Sequence, residues 1–83
     1  MDKELVKLRL ATRFFSKVMF DKLEKKYIEG YTGWDRPENT LNILAMLEEH
    51  TERQFSNPTD ENLVDIANLC MMLWNLSKES KND

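Results

Sequence analysis

The sequence predicts an all-α fold: a three-helix protomer with a long first helix, oligomerising into a helical bundle. Apolar residues recur at spacings of three and four through most of the chain, and no run alternates with the period of two that a strand requires. Both glycines lie in one short segment, and the two prolines stand where second and third helices would begin. There is no internal repeat or low-complexity tract, so the 83 residues make one small domain.

In the first helix, about residues 3–28, Leu5, Leu8, Thr12, Phe15, Met19, Leu23 and Tyr27 form a stripe that Phe14, Val18 and Phe20 widen. At 1.5 Å per residue it spans roughly 39 Å. EGYTGWDRP is the connecting loop. Pro37 suits the first turn of the second helix, having no N–H to leave unpaired. Leu41, Leu44, Ala45 and Leu47 then carry helical spacing to about Gln54 or Phe55. After SNPTDE, the third helix takes Asn57 as N-cap and Pro58 just inside, with Asp60 and Glu61 at the positive end of its dipole. It is expected to run to about Ser77, so that residues 1–77 form the domain and 78–83 a polar tail.

The first helix outreaches the other two, which span only about 27–30 Å. Its surplus apolar length needs a second subunit to cover it, which predicts a homo-oligomer, dimer or tetramer. The lone cysteine, Cys70, is expected in the core, and one cysteine rules out an internal disulfide. MDKELVKLRL lacks the apolar centre of a signal peptide, and no apolar stretch is long enough for a membrane span. A cytoplasmic protein without a membrane partner is expected.

The net charge of −3 conceals an asymmetry. Residues 1–36 hold nine of the twelve Lys/Arg against six acids, and the remainder holds three against nine. A basic first third facing an acidic remainder suits an anion bridged by a cation. Acids interrupt the basic helix at Glu4, Asp21, Glu24 and Glu29, which argues against nucleic acid as a partner.

The run LVDIANLCMMLW, residues 63–74, carries only two polar residues, Asp65 and Asn68. An unpaired carboxylate there would cost several kcal/mol, so something must compensate Asp65. On the second helix Glu48, Glu49 and Glu52 spell E-E-x-x-E within little more than a quarter-turn. Glu61, Asp65, Asn68 and Met72 form a column on the third helix with Asn62 beside it, and an antiparallel pair would set the two oxygen clusters face to face. A hard divalent cation would relieve both the repulsion and the burial, and oxygen donors select magnesium or manganese over zinc. His50 reads as a surface residue beside the glutamates.

GWD at 33–35, LEEHTE at 47–52 and VDIANLCMMLW at 64–74, in this order and spacing, resemble the MazG-like family of all-α nucleoside triphosphate pyrophosphohydrolases, in its short phage and bacterial branch. The likeness runs from about Phe14 to Trp74. It implies a magnesium enzyme, with manganese as a substitute, that splits an NTP or dNTP into monophosphate and pyrophosphate. By resemblance Glu48 and Glu49 are catalytic, and Glu48, Glu49, Glu52 and Asp65 hold the metal. Asn68 matches an amide that contacts substrate.

One departure stands at position 62, where the family's E-x-x-D glutamate is replaced by Asn62. An amide oxygen ligates magnesium without supplying charge, and Glu61 is the neighbour able to substitute. The expectation is a weakened enzyme, with a non-catalytic nucleotide- or protein-binding module as the alternative. Lys22, Lys25 and Lys26 end the basic helix within reach of phosphates, and Trp34 offers a face on which a base could stack. Trp74, Met71 and Met72 read as core or subunit interface.

Overall fold

The computed structural model describes the backbone of residues 2–81 and the side chains of residues 2–78. The described residues form three helices and no strand: α1 (Lys3–Ile28), α2 (Thr40–Ser56) and α3 (Asp60–Lys81), with a 3-10 turn, Pro37–Asn39, leading into α2. Pro37 heads that turn and not an α-helical first turn. The last two positions of the expected tail, Asn82 and Asp83, lie outside the described residues, while α3 itself continues to Lys81.

Local chemistry sets each boundary. Asp2 caps α1, its carboxylate accepting from the Glu4 N–H at 2.8 Å. The other end closes in a Schellman motif: the Gly30 N–H donates to the Tyr27 carbonyl and the Tyr31 N–H to the Lys26 carbonyl. That motif needs a left-handed residue, and Gly30 supplies it at φ 100°. Gly33, at φ 87°, turns the loop again, and its carbonyl accepts from the Asn39 side chain.

Thr59, not Asn57, caps α3: its hydroxyl accepts from the Asn62 N–H at 3.1 Å. Asn57 ends α2 instead, its N–H donating to the Arg53 carbonyl. Only residues 57–59 separate α2 from α3, which makes the two helices an antiparallel hairpin.

Ile43 from α2 packs on Leu69 and Leu76 from α3, with Leu47, Met72 and Leu73 around them. The C-terminal half of α1 lies against α3 through Met19, Lys22 and Leu23. Its other half touches little: every described residue from Asp2 to Val18 is exposed, and α1 buries none of its length. Cys70 is exposed where a core position was expected. It shares an outward stripe of α3 with Leu63 and Trp74, roughly 100° from the buried Leu69.

Candidate functional site

The counter-charge of Asp65 is Lys22. Its ammonium sits 2.6 Å from Asp65 Oδ1 and 3.5 Å from the Glu61 carbonyl oxygen, to which it donates. This ion pair bridges α1 and α3, and it answers the burial that the apolar run implied. His50 Nδ1 stands 3.9 Å from the other Asp65 oxygen.

Asn62 is 4% exposed and fully engaged. Its Oδ1 lies 2.7 Å from His50 Nδ1, and its Nδ2 donates to the His50 carbonyl at 2.7 Å and to Gln54 Oε1 at 2.9 Å. Because Asn62 Oδ1 only accepts, His50 carries its proton on Nδ1. These bonds tie the end of α2 to the start of α3. His50 is therefore a half-buried pin of the hairpin, where a surface residue was expected.

Asn68 is 5% exposed, and its Nδ2 donates to the Met19 carbonyl at 3.3 Å. Among the described residues its Oδ1 is the buried side-chain oxygen left without a partner. Leaving such an acceptor unmet costs about 1–3 kcal/mol. Asn68 as a residue borders a groove of about 970 Å³ that α1, the loop, α2 and α3 build together, although its Oδ1 is closed off from solvent. Its charged and titratable groups are Lys22, Lys26 and His50 with Glu24, Asp35 and Asp65, and its aromatic residues are Phe20, Tyr27, Tyr31 and Trp34. The Lys26 ammonium lies 4.9 Å from the centre of the Tyr31 ring and 3.8 Å from the Glu29 carboxylate. Met71 and Met72, read as core or interface, also line this groove. Trp74 points outward, with the Lys78 ammonium 3.9 Å from its ring.

The carboxylates on α2 go elsewhere. Glu48 and Glu52 are exposed and lie roughly 160° and 200° around α2 from His50. Glu49, also exposed, is bonded to Arg53 at 2.9 Å. Glu61 borders a second, smaller hollow of about 380 Å³ with Asp60, Lys22 and Lys25. Among the described residues, no three His, Cys, Asp or Glu side chains converge as a metal cage. The structure thus joins Lys22, Lys26, Trp34, Asp65 and Asn68 in one groove, and it does not bring Glu48, Glu49 or Glu52 to them.

Tyr27, Tyr31, His50 and Gln54 were missed as site or scaffold residues. Tyr27 and Tyr31 bracket Gly30, and an aromatic pair across a helix-ending glycine was the available signal. The fold and groove define an all-α, three-helix chain with an aromatic cleft of mixed charge, in which Lys22 and Lys26 stand with Glu24, Asp35 and Asp65. Comparison with protein families, curated proteins and solved structures gives no match. No described helix is long and apolar enough to cross a membrane.

Proposed function

We propose that the groove binds a nucleoside triphosphate, making this chain a nucleotide-binding helical module. The observation that carries the reading is a groove of about 970 Å³ in which Lys22 and Lys26 share the lining with Phe20, Tyr27, Tyr31 and Trp34. A ring such as Trp34 would stack on the base, and Lys26 would meet phosphate charge, joined by Lys22 where it exchanges Asp65 for phosphate. The resemblance in the GWD, LEEHTE and VDIANLC segments supports the same ligand class.

Magnesium- or manganese-dependent pyrophosphohydrolysis is the second reading, favoured by the E-E-x-x-E spacing of Glu48, Glu49 and Glu52. Within one chain the residues do not fit a shared cation: Asp65 is already neutralised by Lys22, and Asn62 has no free donor atom for a ligand role. A homo-oligomer belongs to the proposal as well, because among the described residues the buried apolar side chains are Ile43, Val64, Leu69 and Leu76, a small core for this chain. A cytoplasmic setting suits the single free cysteine.

Calorimetric titration of the common ribo- and deoxyribonucleoside triphosphates, with and without magnesium, tests the first reading. At least one should bind, and Trp34→Ala should weaken it tenfold or more, in line with about 1–3 kcal/mol per stacked base. No binding at millimolar nucleotide would refute it. Release of pyrophosphate in the same samples would establish the second reading.

A further inference from the structure

The accessible surface of the chain is 6999 Å². A compact monomer of 9.9 kDa should expose about 5200 Å², so this chain exposes about 1800 Å² too much. A standard interface buries about 800 Å² per partner, and obligate dimers bury more. The surplus is enough for a permanent interface.

Two surfaces hold it. One is the free half of α1, where Leu5, Leu8 and Phe15 continue, unburied, the same stripe that carries Met19 and Leu23 onto α3. Arg9 and Arg13 edge that stripe, roughly 40–80° from Leu5. The other is the outer face of α2, where Leu41, Leu44 and Phe55 are exposed at 78%, 46% and 88%. Glu48 and Glu52 stand among them, all five within an arc of roughly 80°. The first surface is apolar with Arg9 and Arg13 along one edge and Glu4 on the other; the second is apolar with Glu48 and Glu52 set within it.

We propose that the 3–18 segment of α1 is an arm that docks on the outer face of α2 in a second copy of this chain, and that the exchange is reciprocal. The chain carries both complementary halves of the contact, which is why the occupant is another copy. Reciprocal exchange closes as a two-fold dimer and buries both arms. Arg9 and Arg13 then meet Glu48 and Glu52 across the seam, and these glutamates serve the interface while the groove remains open to ligand. The proposal rests on the oligomeric reading and is independent of the nucleotide reading.

A complementary charge swap tests it. One variant carries Arg9→Glu and Arg13→Glu, the other Glu48→Lys and Glu52→Lys; far-UV circular dichroism checks that both remain helical. Sedimentation equilibrium at micromolar concentration should find the parent at twice 9.9 kDa. Each variant alone should associate at least a hundredfold more weakly, because like charges meet at both seams. Mixed in equal amounts, the two should form a heterodimer, since both seams then pair opposite charges. A monomeric parent would overturn the oligomeric reading and the docking with it, leaving these faces to a partner of different sequence. A dimeric parent that neither swap weakens would overturn the docking alone.

Discussion

Lys22 and Asp65 meet with about a quarter of each side chain exposed, 25% and 29%. That places their pair between the surface case, worth about 0–1 kcal/mol, and the fully buried one, where loss of a partner costs about 3–5 kcal/mol. Lys22→Met should therefore lower stability by about 2 kcal/mol in denaturant unfolding, and Asp65→Asn by a similar amount. The double variant should cost less than the sum, the non-additivity of two residues serving one contact. Strict additivity would show that the pair is not energetically coupled. Asn62 sits in a tighter place. Asn62→Glu would aim a carboxylate at the His50 carbonyl and Gln54 Oε1, two acceptors that now receive hydrogen bonds. It should destabilise by about 2–4 kcal/mol through repulsion and lost bonds, and unchanged unfolding would refute this account.

The three helices and the loop were legible in the sequence at the scale of elements because spacing and punctuation agree there. The 3-4 stripe marks α1 over Lys3–Ile28, and the two glycines mark its end. The start of α3 was not legible: Asn57, Pro58 and Thr59 are all acceptable near an N-cap, and the choice fell to which hydroxyl or amide could reach the Asn62 N–H. The site was half legible. Asp65 demanded a counter-charge, and a lysine from a helix some forty residues earlier in the chain cannot be told from a cation by spacing alone. The outward aim of Glu48 and Glu52 depends on which arc of α2 packs on α3, and Leu41, Leu44 and Phe55 on the outer arc made either choice apolar.

The end of α1 offers a direct test at the same scale. Gly30→Ala places a Cβ in open space, with nothing within 4 Å, so its whole effect is the left-handed backbone at φ 100°. A loss of about 1 kcal/mol follows, or about 4–8 °C in melting temperature for a domain this small. No loss would mean that the Schellman turn opens without cost. Earlier in α1, the hydrogen bond that Lys17 donates to the Asp21 carboxylate raises the pKa of Lys17, with the Asp21 charge adding to it. A raised lysine contributes below its ordinary range and loses that contribution as pH climbs through the raised value. The pair is fully exposed, so it shapes the charge of the helix more than its stability.

At the scale of the whole molecule, the Cα radius of gyration is 14.7 Å, against about 12 Å for a compact chain of this length. The difference comes from the arm of α1, and it couples stability to association. If a second copy covers the arm, folding and dimerisation are one equilibrium, and the melting temperature must depend on protein concentration. Taking the usual enthalpy per residue for two such chains, each tenfold dilution should lower it by about 4 °C. Added salt should lower it too, because the Arg9, Arg13, Glu48 and Glu52 edges of the seam are reached by solvent ions. Leu8→Glu, which puts a carboxylate into the apolar stripe of the arm, should remove both dependences and leave a lower, concentration-independent transition. Differential scanning calorimetry across a hundredfold concentration range reads all three effects, and a parent protein whose transition stays fixed under dilution would show that the arm is held by something other than a second copy.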